Sequence, residues 1–172
     1  MAEPRKLTPA EEARLAQVRE QFKQKQAISN SLNSIKYRIG VYSGKGGVGK
    51  TTVTTNLALM LAKSGKKVAI LDCDIDCPNV TRVLKISNRP EADNEGKMIP
   101  PEKYGVSVMS MGFFQENEDE AIVWRGPMIH NAINQFISKT NWGDIDYLIC
   151  DLPPGTSDAP LTVTVSYTHL TL

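Results

Sequence analysis

The sequence predicts a doubly wound, mainly parallel α/β sheet with an N-terminal helical extension. Three observations predict it. From residue 37 onward, short apolar runs alternate with segments of helical period. Each run breaks at Gly, Asp or Pro, where a chain leaves a sheet. Strands that alternate with helices bury a parallel sheet between helical layers.

The elements follow in order. "LTPAEEARLAQVREQFKQKQ" opens with a helix start: Thr8 caps, Pro9 suits the first helical position, and Glu11 stands three after the cap. Leu15, Val18 and Phe22 follow at helical spacing and form a thin apolar stripe, expected to dock loosely on the body or on a partner. "AISNSLNSI" (27–35) reads equally as a hinge or as more helix. "YRIGVYS" (37–43) is a strand running into glycines, and "TVTTNLALMLAKSG" (52–65) is a helix with Leu57 and Leu61 on one face, ended by Gly65. "KKVAILDCD" (66–74) is a buried strand ending in acids, and "GVSVMSMG" (105–112) is a third strand. "GPMIHNAINQFISKTN" (126–141) is a helix with Ile129, Ile133, Phe136 and Ile137 in register. "IDYLICDLPPG" (145–155) is a fourth strand that meets a Pro-Pro-Gly turn. These spans divide the chain into an extension (1–36), an α/β domain (37–164) and a tail (165–172).

Composition narrows the classes. The chain has 172 residues, 41% hydrophobic and 23% charged, with net charge +1. No global field steers it to nucleic acid or to an anionic membrane. No apolar run reaches the roughly 20 residues of a membrane-spanning helix. The start has no apolar signal core, and three cysteines make no disulfide framework. A reducing cytoplasm is the expected home. Residues 1–37 hold seven Lys/Arg against four Asp/Glu, and residues 91–120 hold two against eight. Both imbalances read as solvated surface.

Gly44, Lys45, Gly46, Gly47, Val48, Gly49, Lys50 and Thr51 fit G-x-x-x-x-G-K-[ST] between a strand and a helix, the context this motif requires. Glycines let successive N–H groups converge on phosphate oxygens, and the following helix adds its positive end. Lys50 reaches the β/γ-phosphates and the Thr51 hydroxyl can bind Mg²⁺, with Thr52 completing the cradle. ATP and Mg²⁺ are therefore the expected ligands. Lys45 is extra: a simple cradle needs one lysine, so on physics alone Lys45 is either a solvated side chain or a second cation for phosphate.

"LDCDIDCPN" places Asp72, Asp74 and Asp76 at the end of the second strand, where carboxylates order Mg²⁺ or position a water. Asp76 reads as a surface loop acid. "YLICDLPPG" ends an apolar strand in Asp151, the form of a Walker B strand, whose aspartate holds Mg²⁺ through water. Pro153, Pro154 and Gly155 then make a stiff turn where a γ-phosphate sensor would sit.

"KGGVGKT" (45–51) resembles the deviant phosphate loop of the MinD/ParA/Mrp ATPases. The resemblance implies a sheet of the P-loop NTPase type and a homodimer closed over two ATP molecules. It implies that Lys45 crosses the dimer interface to the partner's nucleotide, that Asp74 orients the attacking water, and that Asp72 supports the metal. "MGFF" (111–114), "VWRGPMIHNAINQF" (123–136) and "DYLICDLPPGTSD" (146–158) are similar to the Mrp/ApbC branch of iron–sulfur cluster carriers. That branch implies delivery of [4Fe–4S] clusters to apoprotein clients, with an iron–sulfur scaffold as partner. The alternatives are a positioning switch of the MinD/ParA kind and a nucleotide-binding scaffold with little turnover.

The branch holds its cluster through a late C-x-x-C pair from each subunit, and this sequence has none. Cys73, Cys77 and Cys150 stand near the nucleotide loops and read as small packed residues, so no cluster ligand is assigned. His130 reads as a packed or surface residue. "VSYTHLTL" (165–172), which contains His169, can be written as one frame of a transposase-type sequencing adaptor. The expectation is a fold incomplete at the C-terminus, with the natural frame continuing.

Overall fold

A computed structural model of the chain describes residues 8–75, 77–113 and 126–155. Asp76, Trp124, Arg125 and the segment from 156 onward, including His169, lie outside these residues, as does the His130 side chain.

Helix α1 spans Pro9–Asn33. Its start is the predicted capping box: the Thr8 N–H donates to Glu11 Oε2 at 2.8 Å, and the Glu11 N–H donates to Thr8 Oγ1 at 3.4 Å. The stretch 27–33 continues the helix. Of the two expectations for the Leu15–Val18–Phe22 stripe, docking on the body or on a partner, the first is corrected: these residues are 43%, 57% and 67% exposed. Ile28, Leu32 and Ile35 are buried instead and join the main core. Ile28 and Leu32 lie on the last two turns of the helix, further along its axis than the stripe, so the end of α1 packs while its first turns do not. Arg38 closes the helix end by donating to the Leu32 carbonyl at 3.0 Å.

Strand β1 (Tyr37–Val41) leads into helix α2 (Lys50–Lys63), and strand β2 (Val68–Asp72) follows. A short helix α3 (Val80–Leu84) and a small hairpin of β3 (Glu91–Ala92) and β4 (Met98–Ile99) come next. Strands β5 (Glu102–Lys103) and β6 (Val106–Ser110) form a second hairpin, and a single turn of 3₁₀ helix covers Met111–Phe113. Helix α4 (Gly126–Lys139) and strand β7 (Tyr147–Asp151) complete the described chain.

The main sheet has the order β1-β7-β2-β6-β5, parallel except at β5. All five residues of β2 are buried, so the sheet is covered on both faces. Its Val, Ala, Ile and Leu run is the continuous apolar pattern such a strand needs. Helix α2 packs on β1, β2 and β7, and α4 packs beside α1. Ile133, Phe136 and Ile137 of α4 are buried as predicted. The β5–β6 turn uses Tyr104 (φ 56°) and Gly105 (φ 74°), two left-handed residues in succession, which matches the twist of a two-residue hairpin.

In register, Asp72 pairs with Asp151 across β2 and β7, and with Ser110 across β2 and β6. Three parallel strands therefore deliver three polar side chains to one edge. The glycine loop that follows β1 starts at the same edge, since Val41 pairs with Asp151.

Candidate nucleotide site

The phosphate loop runs from Ser43 to Thr51 between β1 and α2. Gly47 (φ 71°) and Gly49 (φ 96°) occupy left-handed backbone, where a side chain would be strained. Gly49 is also the cap of α2 and has no side chain to satisfy the first helical N–H groups. Those donors are left for a ligand. A Cβ added at Gly44, Gly47 or Gly49 would meet nothing within 4 Å, and Gly44, Gly46 and Gly47 are exposed, so the loop is open to a ligand. Ser43 steadies its start by donating to the Lys45 carbonyl at 2.6 Å. Lys45 and Val48 are exposed, and Lys50 is half-buried at the first position of α2.

Behind the loop, Asp151 accepts from the Thr51 hydroxyl at 2.6 Å and from the Thr54 hydroxyl at 3.1 Å. Burial pushes the Asp151 carboxyl above its usual range, while the two hydroxyls and the nearby Lys50 charge pull the other way. A hydroxyl at the loop's end backed by a carboxylate is the donor set for a hard, oxygen-seeking cation such as Mg²⁺. Thr51 would touch the metal and Asp151 would stand behind it.

Asp72 is wholly buried. Its Oδ1 accepts from the Asp74 N–H at 3.2 Å; its Oδ2 accepts from Ser110 Oγ at 2.9 Å and from the Val80 N–H at 3.3 Å. Burial drives its pKa up to about 7, with the neighbouring Asp151 charge adding to the rise and the hydrogen bonds opposing it. Asp74 is half-buried, and its Oδ1 accepts from the Cys77 N–H at 3.1 Å. Thus Thr51 and Asp151 are in direct contact, Asp72 lies one strand away, and Asp74 sits on the loop that Asp72 holds.

Two features were missed in the sequence. Ser110 ends its strand as an ordinary polar residue, and only the register with Asp72 reveals its use. Tyr42 donates to the Gly155 carbonyl at 2.9 Å, and the Gly155 N–H donates to the Ser43 carbonyl at 3.1 Å. These bonds tie the phosphate loop to the Pro-Pro-Gly turn. Gly46 faces the same turn, since a Cβ there would lie 4.0 Å from Pro154 Cγ.

Cys73 and Cys150 are buried and Cys77 is exposed. The hydrogen bond with the adjoining Cys150 thiol, and then burial, raise the pKa of Cys73 well above that of an ordinary thiol. Among the described residues, no group of three His, Cys, Asp or Glu could hold a metal ion. Among them, too, no helix is long and apolar enough to cross a membrane.

Comparison with known proteins agrees with this geometry. Residues 34–171 match the family described as ParA, NUBPL iron-transfer P-loop NTPase. The chain is 50% identical over 125 residues to an iron-sulfur cluster carrier protein of Bacillus subtilis, covering 73% of this chain and 35% of the relative. It is 43% identical over 143 residues to the iron-sulfur cluster transfer protein NUBPL of Dictyostelium discoideum, covering 82% and 44%. The chain spans half or less of the length of these relatives. Among solved structures, a nucleotide-binding protein of Archaeoglobus fulgidus in complex with ADP superposes with a TM-score of 0.71. That structure is 39% identical, covering 83% of this chain and 54% of the other. The septum site-determining protein MinD of Pyrococcus horikoshii, at 22% identity and a TM-score of 0.50, shares the fold, with 76% and 54% covered. From the loop, the strand order and these relatives together, the chain belongs to the ParA-type P-loop NTPases, in the NUBPL iron-transfer family.

Proposed function

We propose that this chain binds and hydrolyses ATP as part of a carrier that assembles [4Fe–4S] clusters and transfers them to apoproteins. The observation that supports it most directly is the Thr51–Asp151 contact of 2.6 Å directly behind an open phosphate loop. Relatives named as iron-sulfur cluster carriers support the cargo.

In this reading the loop N–H groups and Lys50 hold the phosphate chain, with Thr52 beside them. Bound Mg²⁺ supplies charge neutralisation on the phosphate oxygens. Thr51 contacts the metal, Asp151 orients the Thr51 hydroxyl, and Asp72 supports this arrangement. Asp74 orients the attacking water by accepting its hydrogen bond. Lys45 is exposed at the mouth of the loop, free of the body, where a second copy of the chain can meet it. A cation that arrives from a partner acts only when the dimer is closed, so turnover and dimerisation are coupled. The working form is therefore a cytoplasmic homodimer. Cluster ligation belongs to the whole protein, since this sequence contains no C-x-x-C pair.

The test compares wild type with Lys45→Ala. Nucleotide affinity stays within about twofold, while turnover at saturating ATP falls by about 10³-fold or more, the scale of a lost trans cation, and nucleotide-dependent dimerisation is reduced. Unchanged turnover refutes the role of Lys45. Transfer of a reconstituted cluster from the whole protein to an apo-[4Fe–4S] enzyme, read as recovered activity, tests the cargo.

A further inference from the structure

The acids of the β2 loop are held from a strand that does not carry the phosphate loop. Asp72 spends both carboxyl oxygens on three donors, and none of these is phosphate-loop backbone. Two are N–H groups at the ends of the acid loop, at Asp74 and Val80. The third is the hydroxyl of Ser110, itself wholly buried on β6. Ser110 has one proton and gives it to Asp72, so its oxygen is free to accept, and it accepts from the Gly112 N–H at 3.1 Å. Gly112 also lies hard against the loop: a Cβ there would stand 3.3 Å from Thr81 Oγ1 and Ser110 Oγ, and 3.4 Å from Pro78 Cβ. Asn79, the cap of α3, makes no side-chain capping bond, and the Asp72 carboxyl reaches the Val80 N–H instead.

We propose that Ser110 is a positioning residue: through the Asp72 carboxyl, the turn at residues 110–112 sets the height of the 73–80 loop and thereby the place of Asp74. Asp72 then supports the metal site at one remove. Its oxygens are committed to the loop, and its contribution is a fixed geometry for Asp74. The turn and the acid loop move as one body, so a displacement at Met111–Phe113 reaches the reaction without touching the nucleotide. This inference rests on the proposed role of Asp74 in hydrolysis only for its effect on rate. The mechanical link stands apart from that role.

Amide hydrogen exchange separates the two. In Ser110→Ala, exchange at the Asp74 and Val80 amides rises about tenfold, the scale of one lost hydrogen bond, while Ile70 and Val108 in the strand centres are unchanged. Mg²⁺·ADP affinity stays within about twofold and KM for ATP is likewise held, while kcat falls about tenfold or more, the pattern of a lost transition-state contact. Ser110→Thr keeps the hydroxyl and restores both readouts. Gly112→Ala, which leaves Ser110 in place but crowds Pro78 and Thr81, gives the same rise in loop exchange and serves where Ser110→Ala does not fold. Unchanged exchange at Asp74 and Val80 in both variants overturns the inference. So does weakened Mg²⁺·ADP binding with unchanged loop exchange, which would place Asp72 directly on the metal. Faster loop exchange with unaltered turnover keeps the mechanical link and refutes the role of Asp74 instead.

Discussion

Replacing Asp72 by Asn removes a titrating group from the sheet edge and makes the pH dependence of stability a direct measure of its burial. The carboxyl has its usual pKa of 3.8 when exposed and about 7 when folded. Below about pH 4 both states hold the proton and burial is free of charge cost. Between pH 4 and 7 the unfolded chain has released the proton and the folded chain has not, so stability falls as pH rises. Above pH 7 both are ionised and the full cost is present. Three pH units of separation, at about 1.4 kcal/mol each, make this on the order of 4 kcal/mol. Asn is neutral throughout, and its own loss of one acceptor is independent of pH. The stability of Asp72→Asn minus that of wild type should therefore climb by that order between pH 4 and 8 and then level off. Urea unfolding with EDTA present, so that no divalent cation offsets the charge, reads it. Titrating groups that do not interact with Asp72 cancel in the difference, and the Asp151 charge, which adds to the rise, is part of the effect that is read. A difference that is flat with pH refutes the reasoning and means that Asp72 is ionised at no cost, with its three hydrogen bonds fully compensating for burial.

Further outcomes are expected. Thr51→Ala removes the hydroxyl in front of Asp151 and should weaken Mg²⁺-dependent nucleotide binding by about 10- to 100-fold, the scale of a hydrogen bond to a charged group; Thr51→Ser keeps most of it. Isothermal titration with and without Mg²⁺ checks this. Leu32→Ala opens a cavity under α1 and should cost about 2–5 kcal/mol, whereas Phe22→Ala, on the exposed stripe, should stay within about 0.5 kcal/mol. Denaturant midpoints distinguish the two.

The sequence made the strands and the phosphate loop legible because their signals are local. The apolar run 68–72, the glycines 44–49 and the terminal Asp151 each announce themselves within a few residues. The capping box at Thr8 was equally local. What escaped depends on partners far along the chain. Ser110 acquires meaning only beside Asp72, 38 residues away. The docked face of α1 was misread because Leu15, Val18 and Phe22 have a clear period, while Ile28, Leu32 and Ile35 sit in a polar, Ser- and Asn-rich stretch that imitates a hinge. The small hairpins were missed because two-residue strands have no period to detect. Tyr104 at positive φ is a turn that the Tyr-Gly pair announces only weakly.

The strand that carries the phosphate loop has one neighbour among the described strands: β1 pairs with β7 and lies at the rim of the sheet. None of its five residues is fully buried, in contrast to β2. A strand with one described neighbour therefore presents the most demanding loop. A nucleotide seated there would engage N–H groups that now lack partners, and it would favour the folded state by mass action, with stability rising as the logarithm of its concentration. In the free protein β1 should be the first inner element to exchange its amides, and in the loaded protein it should be among the last. The nucleotide would then serve as a removable part of the architecture, whose departure loosens the rim that holds it.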